Sequence, residues 1–173
     1  AKPTARLLPA FTSDSLPAER LAACKAYLAA ESERIHQRHR AGEPGHKIAQ
    51  ALARRMDRLL QPLFAAALAS WRQAHGEPPT PACLIALGGY GRSELSPLSD
   101  VDLMFLYPSN VKDLGKFQEH LSNAVLYPLW DLKLKIGHST RTLNEVFSEA
   151  ARDIKTKTAL LESRLIAGTE TLY

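Results

Sequence analysis

The chain has 173 residues, 45% hydrophobic and 23% charged, which is enough for one compact domain with a real core and too apolar for a disordered polyelectrolyte. Lys and Arg outnumber Asp and Glu by 22 to 18, and the excess sits largely between Arg34 and Arg58, a balance that suits anionic ligands without demanding nucleic acid. The apolar run over 59–69 is too short to cross a bilayer and Gln61-Pro62 interrupts it, so no membrane partner is expected. Cys24 and Cys83 share no paired or metal-binding spacing, and no secretory leader is recognisable, which makes a reduced, cytoplasmic setting the expectation.

In chain order, Ser15 followed by Pro17 and Glu19 reads as a helix start, and Leu21, Lys25, Leu28 and Ile35 carry the helical period to about Arg40. Gly42, Pro44 and Gly45 break it. A second helix over 46–74 follows from Ile48, Leu52, Met56, Leu59, Leu63, Ala67 and Trp71, with Pro62 placed to kink it. Residues 1–75 thus read as a helical hairpin, and Gly76 to Pro81 marks the boundary to a second region, 76–173. There, 83–87 is a short apolar run fitting a buried strand, and 100–106 is a second strand that opens with acids. A helix over 114–126 precedes a third strand over 131–137; Thr142 and Glu145 stand at capping-box spacing for a helix over 143–151, and a last helix covers 156–165. The order strand, strand, helix, strand, helices predicts an α/β (α+β) fold with a small mixed sheet, preceded by the helical hairpin. The start at Ala1 without methionine and the end at Tyr173 suggest a piece of a longer protein.

Asp100 and Asp102 are two apart in a strand, so their carboxylates share one face while Val101 and Leu103 face the core. Such a pair repels unless a cation compensates it, and hard oxygen ligands favour Mg²⁺ or Mn²⁺. Mg²⁺ in turn completes its shell with water and substrate phosphates. The plainer alternative is that Ser99-Asp100 caps a turn and Asp102 is a solvated edge residue. Gly88 and Gly89, directly after the first strand, let backbone amides approach a triphosphate, and Arg92 adds a permanently charged fork. The spacing matches neither a Walker loop nor a Rossmann fingerprint.

Taken together, Leu87-Gly88-Gly89-Tyr90-Gly91-Arg92-Ser93-Glu94-Leu95 and the following Ser99-Asp100-Val101-Asp102-Leu103 resemble the signature of the DNA polymerase beta-type nucleotidyltransferase superfamily. Within it the likeness is greatest to the uridylyltransferases that modify the nitrogen-regulatory PII protein, where glycine usually stands at the position of Ser93. The segments 129–139 and 160–168 are similar to the next strand and the following helix of that family, so the resemblance covers roughly half of the chain.

The resemblance implies two Mg²⁺ ions on Asp100 and Asp102, phosphate holding by Gly88, Gly89 and Arg92, and Ser99 orienting the turn or touching a phosphate. It also implies a third metal-binding and proton-accepting carboxylate on a strand beside the pair. Asp131, expected to open the third strand, is the candidate, and Glu162 the alternative. The substrates implied are a nucleoside triphosphate, UTP for the nearest family, and an acceptor protein, PII; the motifs themselves specify neither. An adenylyltransferase or another nucleotidyltransferase with a different acceptor, or a nucleotide-sensing module without catalysis, are the rival readings. His36, His39 and His46 lie in a basic helical stretch that reads as a solvated face, the arginines there could meet an acidic partner, and His138 and Ser139 stand just past the third strand, near nucleotide or in a structural turn.

Overall fold

In the computed structural model, Pro17 sets the first turn of α1 (Pro17–Arg40), with Glu19 at its amino end and Arg38, His39 and Arg40 at its carboxyl end, each sign opposing the helix dipole. The structure describes residues 17–109 and 114–173 together with Leu8, Phe11 and Val111; the expected cap at Ser15 lies outside them. Gly42, at φ +83, turns the chain into α2 (Gly45–His75), which runs on through Pro62. One stripe of α2 is buried from Ile48 through Met56, Leu59, Leu63 and Phe64 to Trp71.

Among the described residues four strands form one sheet in the order β3-β2-β1-β4. β1 (Cys83–Ala86) pairs antiparallel with β2 (Val101–Tyr107), and β3 (Ile136–Thr142) runs parallel to β2 after the crossover helix α4 (Gly115–Asp131). β4 (Arg164–Gly168) pairs antiparallel with β1 after two short helices, α5 (Leu143–Arg152) and α6 (Ile154–Leu161). The mixed α/β architecture is therefore the one the element order predicts.

Side-chain alternation gives the sheet two covered faces. Leu84, Ala86, Leu103, Phe105 and Tyr107 join one cluster with α1, α2 and α4, so the helical hairpin shares its core with the sheet. Cys83, Ile85, Met104 and Leu106 face the other way, against Leu143, Val146, Leu160 and Leu165. Burying each of Phe64, Phe105 and Phe117 contributes about 1.5–3 kcal/mol. The capping box at Thr142 and Glu145 forms as expected, and the backbone and hydroxyl of Thr142 hold the Glu145 carboxyl below its usual range.

Two expectations need correction. Residues 131–135 are not strand: α4 continues to Asp131, and a Schellman turn ends it, with Lys133 N–H on Trp130 O at 2.9 Å and Leu134 N–H on Leu129 O at 3.1 Å. Leu132, Leu134 and Ile136 alternating with Lys133 and Lys135 imitate a strand, but Lys133 at φ +59 interrupts it. The helix expected over 156–165 stops at Leu161, and its remainder is β4, ending at Gly168 (φ +105), where a Cβ would stand 2.3 Å from Ala82 O.

Candidate active site

The chain leaves β1 through Leu87 into the four-residue helical turn α3 (Gly88–Gly91). Gly88 takes φ +56, and the turn closes with Gly91 N–H on Leu87 O and Glu94 N–H on Gly89 O, both at 2.9 Å. The first amides of α3 have no preceding carbonyl within the turn to bond, so they remain available to an anion. Ser93 closes the segment at φ +61, in the left-handed region that favours glycine. Ser93→Gly is expected to raise stability by several tenths to about 1 kcal/mol, read as an increased midpoint in thermal or urea unfolding. An unchanged or lowered midpoint would mean that the serine is not strained there.

Asp102 lies beside this turn. Its backbone carbonyl accepts from Leu87 N–H at 3.0 Å, and a Cβ on Gly88 would stand 3.6 Å from its Oδ2. On the other side β3 pairs Asp102 with Gly137, where a Cβ would stand only 2.3 Å from Oδ1. The carboxylate therefore occupies space that any side chain at 137 would take. Burial raises the Asp102 pKa, and the neighbouring Asp100 charge raises it further. Asp100 is exposed and immediately precedes β2. The pair, the glycine turn and the start of β3 thus meet at one end of the sheet.

A second set of groups holds the turn from behind. Tyr90 is buried and donates its hydroxyl to Asp57 Oδ1 of α2 at 2.7 Å. Arg164 of β4 donates to both Asp57 oxygens at 3.0 and 3.1 Å and to the backbone carbonyls of Tyr90 and Gly91 at 3.2 Å, and its guanidinium stands 5.4 Å from the Tyr90 ring centre. Burial and the Asp57 charge push the Tyr90 hydroxyl pKa far up, so it stays a donor. Gly91 fits under the chain leaving α6: a Cβ there would meet Glu162 O at 2.0 Å. Sequence reasoning gave no role to Asp57, Tyr90, Gly137 or Arg164. Arg164 and Asp57 are 107 residues apart, so no local pattern joins them. Gly137 carried only a weak signal, a glycine at the end of the expected third strand.

The other expected site residues are placed as follows. Arg92 donates to Glu162 Oε2 and, at 3.3 Å, to Glu94 Oε2, and both carboxylates favour its charged form. Glu162 is thus the partner of Arg92. The Ser99 hydroxyl donates to Ser96 O at 3.0 Å and orients the turn before Asp100. Asp131 does not open a strand; it is the exposed last residue of α4 and lines a cavity of about 720 Å³ with Leu21 of α1, Trp71 of α2 and His120 of α4. That cavity belongs to the helical layer. The strand beside Asp102 is β3, Ile136–Thr142, and it contains no Asp or Glu, so the expected strand-borne third carboxylate is not at Asp131. Among the described residues no three His, Cys, Asp or Glu side chains gather to hold a metal. In the basic helical stretch, Arg34 is engaged by Glu31, Arg38 by Glu43 and Arg55 by Ser32. His138 packs edge-on to Trp130.

A mixed sheet that brings a glycine turn and an Asp-x-Asp pair to one end is the arrangement expected of a nucleotidyltransferase. Residues 30–131 match the family described as nucleotidyltransferase DUF294, and the chain belongs to that family. Among curated proteins it is similar to the bifunctional uridylyltransferase/uridylyl-removing enzyme of Rhodopseudomonas palustris, 36% identical over 154 residues, which is 86% of this chain and 15% of that protein. The enzymes of the same name from Idiomarina loihiensis and Rhodospirillum rubrum are 45% and 46% identical over 104 and 90 residues, covering 60% and 52% of this chain and 12% and 9% of theirs. The chain spans about 15% of the length of the first of these relatives. Among the described residues no helix is long and apolar enough to cross a membrane.

Proposed function

We propose that this chain carries the transfer site of a uridylyltransferase, which moves UMP from UTP to a tyrosine hydroxyl of a PII-type acceptor protein and releases pyrophosphate. The observation that carries the reading is the Asp102 carboxylate set between the Gly88 turn and Gly137, with Asp100 beside it. The name of the relatives supplies the uridylyl group, and the family resemblance supplies the acceptor.

Two hard carboxylates whose mutual repulsion is already expressed at Asp102 fit Mg²⁺ or Mn²⁺, held by Asp100 and Asp102 and completed by water and phosphate oxygens. When bound, such ions neutralise charge on the attacking and leaving oxygens. The chain's own groups do the rest. The amides of the Gly88-Gly89 turn face the β- and γ-phosphates, and the turn is held still by Asp57 and Arg164, so its donors are aimed before substrate arrives. The acceptor hydroxyl oxygen attacks the α-phosphorus, its bond to that phosphorus forms, and the bond to the bridging oxygen of pyrophosphate breaks. With no carboxylate on β3, the hydroxyl proton passes to the Asp100 and Asp102 pair or to water.

Arg92 reaches a phosphate only by exchanging Glu94 or Glu162 for it. Arg92→Ala is therefore expected to raise KM for UTP by about tenfold in steady-state assays, with a smaller fall in kcat. An unchanged KM would leave Arg92 a purely structural partner of Glu162. The function itself is tested by incubating the chain with each radiolabelled nucleoside triphosphate, Mg²⁺ and purified PII protein. Label transferred from UTP supports the reading; label from ATP alone moves the chain to the adenylyltransferases, and nucleotide binding with no transfer favours a sensing module.

A further inference from the structure

On the face of the sheet that carries Asp102, the next residues along β2 and β3 are Met104 and Ser139, paired with each other, and above them lies a cavity of about 180 Å³ roofed by α5 and α6. Leu87, the residue before the glycine turn, closes one wall, so the cavity adjoins the phosphate-facing amides. Val146, Ala159 and Leu160 add apolar lining, and Thr156 adds a hydroxyl-bearing side chain. At its rim Arg141 and Glu149 form an ion pair at 3.0 Å, each about two-fifths exposed and so open to a ligand.

The volume is well below the roughly 300–1,000 Å³ of sites that enclose a whole drug-sized ligand, and it equals about six waters' share of the liquid. That is room for a planar base but not for the sugar and phosphates as well. Apolar walls for two ring faces, with a fixed donor and a fixed acceptor side by side at the edge, are the complement of a pyrimidine imide, which presents a carbonyl oxygen next to an N3–H. We propose that this cavity receives the pyrimidine base of the nucleotide, with Arg141 donating to a ring carbonyl and Glu149 accepting the N3–H, so that UTP is selected over CTP. The assignment rests on the nucleotidyl-transfer reading above. Cytosine offers a lone pair at N3 in place of a hydrogen and so sets an acceptor against the Glu149 carboxylate, and a mismatched hydrogen bond is a stronger discriminator than shape.

The test titrates the full chain, with Mg²⁺ present, against UTP, CTP and inorganic tripolyphosphate by calorimetry. Wild-type protein is expected to bind UTP at least tenfold more tightly than CTP or tripolyphosphate. Ala159→Phe, which fills the cavity with a ring of its own, should erase that margin while tripolyphosphate affinity stays within about twofold. Glu149→Gln, a helix-surface change that leaves the fold intact, should bring UTP and CTP together. A tenfold preference for UTP that survives both variants overturns the assignment, as does UTP binding no tighter than tripolyphosphate in the wild type; in either case triphosphate holding and transfer still stand. Loss of tripolyphosphate binding itself in the wild type strikes instead at the phosphate turn, and the base site falls with it.

Discussion

Asp102→Asn should reduce nucleotidyl transfer by about two to four orders of magnitude, because it removes a carboxylate placed where charge must be balanced during phosphoryl displacement. The fold should not suffer. Burial and the Asp100 charge raise the Asp102 pKa, so in the folded protein the ionised form is disfavoured relative to the unfolded chain. That penalty is fully present above the folded-state pKa and fades as the pH falls through it. In chelator, then, the variant should melt at a higher temperature than the wild type at neutral pH, and the two should converge in acid. Transfer by Asp102→Asn at near wild-type rate would remove Asp102 from the chemistry. A lower melting temperature at neutral pH would show that the carboxylate is compensated by something other than a metal.

Gly137→Ala is the second large effect. The added methyl group would stand 2.3 Å from Asp102 Oδ1, and the atom it meets is the movable end of a side chain rather than backbone. The carboxylate rather than the sheet gives way. An ångström of displacement at a reacting centre costs on the order of 100-fold in rate, so kcat should fall by about that factor. Alanine in a strand loses less backbone entropy than glycine, so the melting temperature should hold or rise slightly. Activity lost at constant stability, followed by transfer kinetics and thermal unfolding on one preparation, is the signature to look for. Full activity would show that the carboxylate has a second productive position.

How legible this site was in the sequence depends on the range over which each part is specified. The glycine turn and the acid pair are written within sixteen residues of one another, and the two helices of the hairpin, the apolar run at Cys83 and the capping box at Thr142 each carry a local signal of spacing or turn chemistry. The errors fall where tertiary context overrides a local pattern. The alternation from Leu132 to Ile136 has a strand's period, yet Lys133 takes a left-handed conformation to finish α4, and this moves Asp131 into the helical layer. Arg164 to Gly168 looks like the end of an apolar helix until β1 offers its free edge. Asp57 and Arg164 answer to each other across 107 residues, and no local window of sequence contains both.

That last pairing bears on how the protein comes into being. The glycine turn is among the first parts of the sheet region to be synthesised, but the arginine that braces it lies on the last strand, and the edge of β1 stays open until that strand arrives. Contacts so distant in sequence form late and slowly. On the ribosome, the acid pair and the turn emerge well before Arg164 can hold them in register, so a half-made chain has these groups without their mutual geometry.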